Sequence, residues 1–292
     1  MSLDFSQKTD LQPLGVVVRG LRQIADGLGV QFFLMGAAAR DLMLLYAHQI
    51  ETRRKTYDVD FAVMVPNWDV FAALRKALIA SGAFVARPGP ATHRLRHGTT
   101  SLPLDIVPFG GVERADRTIA WPPFQEEVFD CFGVAEAFEA STEVLLPDGV
   151  MVKVPSISAL ALLKISAWRD RKHVAPGRDA GDLALFMRHY MDCGNFERAA
   201  AEHGDLFEQD DYDHEATSAQ LLGRDIATFL DHKSTEKILE ILIPEADLDG
   251  PLLLAQQTGL NLDHGRRLVA ALCAGLVAGF TNRKSARGPA SG

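Results

Sequence analysis

Two short runs decide how this chain is read: MGAAARD at Met35–Asp41 and DVDF at Asp58–Phe61. The largely apolar stretch Val30–Met35 reads as a strand, and it runs into Gly36 and the alanines Ala37, Ala38 and Ala39, where a helix reaching about His48 is expected to begin. A turn of small residues leaves its backbone N–H groups open, and together with the positive end of a helix dipole these hold anionic oxygens such as those of a phosphate. On a strand, residues two apart point the same way, so Asp58 and Asp60 project together while Val59 and Phe61 enter the core. Two such carboxylates could share a pair of Mg²⁺ ions about 3.5–4 Å apart. The same spacing also fits a solvated strand end.

A third carboxylate bears on that choice. Ser101–Gly111 reads SLPLDIVPFGG, an apolar strand bounded by Pro and Gly, with Asp105 as its one charge. Either Asp105 caps a loop or pairs with an arginine, or it lies on a neighbouring strand beside Asp58 and Asp60 and completes a metal cage.

The order Gly36 turn, Asp58 with Asp60, then a lone Asp105 resembles the polymerase β-like nucleotidyltransferase superfamily, and GAAARD is similar to the G-G-x-x-R-D turn of tRNA nucleotidyltransferases. The second turn position, Gly or Ser in that superfamily, is Ala37 here; a hydroxyl is missing but the amide remains. Further on, Lys164 followed by arginines and by Arg178-Asp179-Ala180-Gly181-Asp182-Leu183 is similar to the AbiEii-type nucleotidyltransferases, toxin components of bacterial toxin–antitoxin and phage-defence systems. The resemblance covers roughly Phe33–Leu185. It implies that Asp58, Asp60 and Asp105 hold two Mg²⁺ ions, that an NTP is the donor, and that Lys164 and Asp182, with Asp179 as the competing choice, join the site from a helical half.

Length, composition and charge set the frame. The chain has 292 residues, 47% hydrophobic and 23% charged, enough for one large or two ordinary domains with cores of their own. A net charge of -8 argues against a nonspecific nucleic-acid coat while leaving room for a local basic patch. Cys131, Cys193 and Cys273 are odd in number and far apart, which fits a reducing cytoplasm and small buried apolar roles rather than disulfides or zinc. The N-terminus lacks a basic region followed by an apolar stretch, so no signal peptide is expected. Leu268–Phe280 is too short for the roughly 20 residues of a membrane span and reads as a core helix.

Apolar spacing at Leu14, Val17, Val18, Leu21 and Ile24 predicts an amphipathic helix over about 11–28, and a second is predicted over Trp68–Ala80. Arg40 falls in the helix after Gly36, where it could reach a triphosphate or pair with a sheet carboxylate. Glu51–Lys55 reads as a solvated charged loop. Ala83–Arg87 and His93–His97 read as strands turned by Pro88, Gly89 and Pro90, with Arg94 and Arg96 on one face, placed either to bind phosphate or to decorate an edge strand. Residues 110–140 give an irregular covering segment. Asp148-Gly149 signals a two-residue hairpin between Glu143–Leu146 and Val150–Val154.

From Ser156 the period changes from two to about 3.6. Helices are expected over Ile157–Lys172, from Asp179, and over Leu221–Leu230, Thr235–Leu242 and Gly265–Phe280. Lys164, within an apolar stripe, either snorkels to solvent or points at a nucleotide phosphate. Asp179 could cap its helix and Asp182 sit in the first turn. Asp210–Glu215 reads as a solvated acidic linker, and the polar end of the chain as a disordered tail over 282–292.

The resulting expectation is an α/β (α+β) fold with a mixed sheet over residues 1–154, then an all-α domain over 155–281, with the site in the cleft between them. The expected activity is transfer of NMP from an NTP to an acceptor hydroxyl. The resemblance implies an RNA acceptor, such as a tRNA 3′ end, and a cognate antitoxin; the basic residues Arg169, Arg171, Lys172, His173 and Arg178 also favour a polyanion. The alternatives are a small-molecule or protein acceptor, or a non-catalytic nucleotide-binding or partner-binding module.

Overall fold

The computed structural model describes residues 3–52, 58–87, 93–122, 125, 128–208 and 212–286, with side chains as far as 281. The chain divides into two units, Met1–Ser156 and Ile157–Gly292.

The first unit runs β1 (Leu3–Asp4), α1 (Gln12–Gly27), β2 (Gln31–Met35), α2 (Gly36–Asp41), β3 (Val59–Val65), α3 (Trp68–Ala80), β4 (Phe84–Ala86), β5 (Arg94–His97), β6 (Pro103–Gly110), β7 (Thr118–Ala120), β8 (Val128–Asp130), α4 (Val134–Glu139), β9 (Ser141–Leu146) and β10 (Val150–Pro155). Eight strands form one mixed sheet in the order β1-β9-β10-β2-β3-β6-β5-β4, and β7 pairs with β8 apart from it. Strand β3 is central, antiparallel to β2 and parallel to β6. Its residues are buried on both sides of the sheet except Asp60 and Met64, which are partly exposed. A strand covered on both faces reads as a near-continuous apolar run, so a carboxylate within it stands out. Fully buried Phe33 meets Phe109 and Phe138 edge-on or tilted, with ring centroids 5.8 and 5.9 Å away, tying β2, β6 and α4 into one core.

Local chemistry sets the helix ends. Asn67 caps α3 by accepting the Val70 N–H at 3.0 Å, the side-chain capping expected of Asn at a helix start. Helix α2 does not stop at Asp41; it widens into one π-helical turn, Leu42–Tyr46, a device frequent near functional sites.

Several expectations need correction. The β9–β10 connection is a three-residue loop, Pro147–Gly149, because Val150 pairs with Leu146; Pro147, ahead of the Asp-Gly signal, belongs to the turn as well. Strand β5 is paired on both sides, to β4 and β6, so Arg94 and Arg96 do not decorate an edge; the edge is β4. The stretch 110–140 contains the β7–β8 ribbon and α4. The turn at Pro88–Pro90 and residues 53–55 of the charged loop lie outside the described residues.

The second unit is helical: α5 (Ile157–Arg171), α6 (Arg178–His189), α7 (Phe196–Glu202), α8 (His214–Phe229), α9 (His232–Ala246), α10 (Leu253–Gln257) and α11 (Leu262–Ala286). Helices α8 and α11 touch backbone to backbone through glycines. A Cβ on Gly275 would come 1.9 Å from the Gln220 carbonyl oxygen, and one on Gly223 2.2 Å from that of Leu272. Around this contact Leu222, Ile226, Leu268 and Leu272 are fully buried, each worth about 1.5–3 kcal/mol of transfer free energy.

The described part of the acidic stretch is not a linker. Asp213 caps α8, accepting the N–H groups of Glu215 and Ala216, and pairs with Arg267; Glu215 takes Arg188 at 2.9 Å and His264 at 2.7 Å. These charges pin α6 and α11 to the start of α8. Helix α11 continues to Ala286, past residue 282, where the disordered tail was expected to begin. Among the described residues no helix is long and apolar enough to cross a membrane. All three cysteines are buried free thiols.

Candidate active site

In the first unit, Asp60 faces Met35 across the β2–β3 pair and Asp105 across the β3–β6 pair, and Arg94 faces Asp105 across the β5–β6 pair. Residues paired across strands lie on the same face of a sheet, and neighbouring strands are about 4.8 Å apart, so the Asp60 and Asp105 carboxylates are immediate neighbours. Asp58 is close enough to act electrostatically on Asp105.

Gly36 meets this row from the side. It begins α2 with φ +70°, and a Cβ there would fall 2.0 Å from Asp60 Oδ2. The backbone of the turn therefore abuts the carboxylate directly, which no larger residue permits. Ala37 follows as a half-buried helical residue.

Asp105 is held at a cost. Burial raises its pKa above the ordinary aspartate value and Asp58 adds to the rise, while His93, Arg94 and Arg87 oppose it without cancelling it. Arg94 Nε is 3.8 Å from Asp105 Oδ2 and its side chain is half exposed.

The donors suit a divalent metal of the Mg²⁺ type. All three are carboxylates, hard oxygen ligands, and they carry mutually repelling charge that a divalent cation would offset. Among the described residues no three His, Cys, Asp or Glu side chains converge into a ready-made metal cage.

Arg40 is 1% exposed and pairs with the neighbouring Asp41, with Nη2 2.7 Å from Oδ1. One of its charge partners thus lies within its own helix, and its side chain is buried.

The remaining candidates gather in the second unit. Lys164, on α5, does not snorkel: its side chain is 10% exposed, and Nζ lies 3.1 Å from Asp179 Oδ1 and 2.6 Å from Asp182 Oδ2, both on α6. Arg171 Nη2 reaches the Asp179 carboxylate at 2.9 Å. Two cations and two carboxylates thereby match charge for charge. Asp179 is not the helix cap. Gly177, at φ +76°, holds the N-cap position of α6, and the Asp179 carboxylate turns inward to the two cations. Of the basic residues suggested for a polyanion, Arg169 pairs with Asp170 and Lys172 lies over the Trp168 ring at 4.9 Å.

The sequence reading missed that Arg94 stands opposite Asp105. No local signal gave it: counting outward from the turn at His97–Ser101, whose Ser101 N–H bonds the His97 carbonyl, would pair residue 94 with 104, and the observed register is set by the His97 N–H on the Leu102 carbonyl.

The profile of the family described as nucleotidyl transferase AbiEii toxin, type IV TA system, matches residues 19–245, which include every candidate above. The chain belongs to the AbiEii nucleotidyltransferase family. An AbiEii nucleotidyltransferase is an enzyme, and residues 19–245 that match the family include β3 and β6, the strands of the mixed sheet carrying the aspartate row. No curated protein matches this AbiEii chain in sequence.

Solved structures similar to it include an antigenic nucleotidyltransferase-like protein from Paracoccidioides brasiliensis, at 18% identity and TM-score 0.41, covering 67% of this chain and 90% of that one. The antibiotic-resistance factor ANT(2'')-Ia follows at 16% identity and TM-score 0.36, covering 67% and 98%. A tRNA nucleotidyltransferase complexed with a primer tRNA and an incoming ATP analog shows 14% identity and TM-score 0.23 over 92% and 84%.

Proposed function

We propose that this enzyme transfers a nucleoside monophosphate from an NTP to an acceptor hydroxyl on RNA, such as a tRNA 3′ end, with a divalent metal, and that it acts in the cytoplasm as a toxin restrained by a cognate antitoxin. The observation that carries the transfer chemistry is the placement of Asp60 directly opposite Asp105, with the Gly36 backbone against Asp60. Asp58, Asp60 and Asp105 would hold the metal. When bound, paired Mg²⁺ ions supply Lewis-acid contacts to the attacking and leaving oxygens.

The chain's own groups do the rest. The amides of the Gly36–Ala37 turn would donate hydrogen bonds to the phosphate oxygens of the NTP and fix its orientation. Asp105 would either hold the metal that activates the acceptor hydroxyl or, with the metal on Asp58 and Asp60, take that hydroxyl's proton as the base. The acceptor oxygen then bonds to the α-phosphorus as the bond to pyrophosphate breaks. Arg40 is assigned to the turn as its internal brace, through Asp41, as well as to the nucleotide. Lys164 and Asp182, with Asp179, are assigned to nucleotide handling by the family pattern. RNA as acceptor rests on that pattern too.

The test is incubation of the purified protein with Mg²⁺ and each α-³²P NTP, using total tRNA and a small-molecule pool as separate acceptors. Label on tRNA is the expected outcome. Label on small molecules alone would replace RNA by a metabolite or antibiotic, and transfer undiminished in EDTA would end the metal reading.

A further inference from the structure

The aspartate row does not end at Asp105. Arg94 faces it on β5, and beyond β5 the β4 register continues by one residue: Arg87 donates its backbone N–H to the Arg94 carbonyl at 3.2 Å. One transverse line across the sheet therefore reads Arg87, Arg94, Asp105, Asp60, and it arrives at the Gly36 turn through Met35. Two arginines directly opposite one another on neighbouring strands repel, a cost set against the attraction of each to the Asp105 carboxylate. Both side chains are exposed, and both act electrostatically on Asp105. Edge protection accounts for a charge on β4 but not for Arg94, whose strand is paired on both sides.

We propose that Arg87 and Arg94 form an anion subsite that receives a phosphodiester of the acceptor strand next to its reacting hydroxyl. The inference rests on the transferase reading above and specifies its acceptor: a single-stranded polyanion rather than a neutral small molecule. The row has polarity. The donor's phosphates belong to the Gly36 end, and in an in-line displacement the attacking and leaving oxygens stand on opposite sides of the phosphorus, which leaves the Asp105 end to the acceptor. Planar guanidinium groups suit phosphate oxygens in particular. Arg96 supplies an internal control. It lies two residues along β5 on the same exposed face but faces Pro103 instead of a carboxylate, with Nη1 3.5 Å from the Ser101 hydroxyl.

The experiment measures binding of a fluorescein-labelled single-stranded oligoribonucleotide by anisotropy across a salt series, beside binding of a fluorescent ATP analogue. Wild type, Arg87→Gln/Arg94→Gln and Arg96→Gln are compared. The double variant should bind the oligonucleotide about tenfold more weakly, with a log–log salt slope shallower by about 0.7, the contribution of the one phosphate that the two arginines share on a single strand. Its nucleotide affinity should hold, and Arg96→Gln should keep the wild-type slope. An unchanged slope in the double variant, or an equal loss in Arg96→Gln, overturns the subsite. So does loss of nucleotide binding in place of oligonucleotide binding, which would give the arginines to the donor. A wild-type protein that binds nucleotide but not oligonucleotide overturns the subsite alone, whereas one that binds no nucleotide overturns the transferase reading and the subsite with it.

Discussion

A Cβ at Gly36 would sit 2.0 Å from Asp60 Oδ2. Residue 36 can therefore be nothing but glycine while Asp60 keeps its place, and its φ of +70° adds a second reason. Gly36→Ala should displace either the turn or the carboxylate. The left-handed backbone alone costs a non-glycine residue about 1–3 kcal/mol. We expect nucleotide binding and transfer to be lost together with a modest fall in Tm, read by fluorescent-nucleotide titration and thermal melting. A variant that binds NTP normally would show that the turn is not the phosphate cradle.

Asp58→Asn removes charge and leaves shape. Asp58 is only half-buried and lies just before β3, so the fold should tolerate the change, while transfer should fall by about a thousandfold or more, as when one preorganised electrostatic group is deleted. Initial rates with labelled NTP, beside a circular dichroism melt, decide it. Retained activity would remove Asp58 from the chemistry.

Asp105 links function to pH. Its pKa when folded is raised above the ordinary value of 3.8, so it binds its proton more tightly folded than unfolded. Its contribution to stability is complete below 3.8 and is lost as pH rises through the raised folded-state value. At neutral pH the ionised group opposes folding. Asp105→Asn should then be more stable than wild type at pH 7 in EDTA, with the difference narrowing as pH is brought down toward 3.8, and it should be inactive. Urea midpoints at the two pH values give the comparison; an Asn variant less stable at pH 7 would contradict this account.

Lys164→Met should be costly for a different reason. It leaves Asp179 and Asp182, 1% and 5% exposed at the side chain, short of their shared ammonium. Breaking a buried pair from one side costs about 3–5 kcal/mol. Chemical denaturation followed by a signal from the second unit should show that loss. Unchanged stability would mean that the cluster is not what holds α5 to α6.

Where burial and periodicity speak for themselves, the sequence carried the answer. The alternation around Asp58-Val59-Asp60-Phe61 and the lone charge of Asp105 located the central strands, and the change of period at Ser156 coincides with the junction between the two units. What stayed hidden depended on pairing between distant segments. Nothing local to Arg94 says that it faces Asp105, and nothing local to Lys164 says that two carboxylates 15 and 18 residues later close on it. Asp213 and Glu215 looked solvated because their partners Arg267, Arg188 and His264 lie far along the chain. The ribbon β7–β8 escaped because its strands are three residues each, too short for a period to show.

The cysteines carry one more consequence. Cys131 lies in the first unit, and Cys193 and Cys273 in the second; burial lifts the Cys131 and Cys193 thiols to about 12 and raises Cys273 as well. At pH 7 a thiol with that pKa is ionised in only about one molecule in a hundred thousand, so an alkylating reagent has almost nothing to attack until the surrounding structure opens. Each thiol is thus a clock for its own half of the chain. Timed alkylation read by peptide mass would record the opening rate of the sheet through Cys131 and that of the helices through the other two, in a single sample and without a label being introduced.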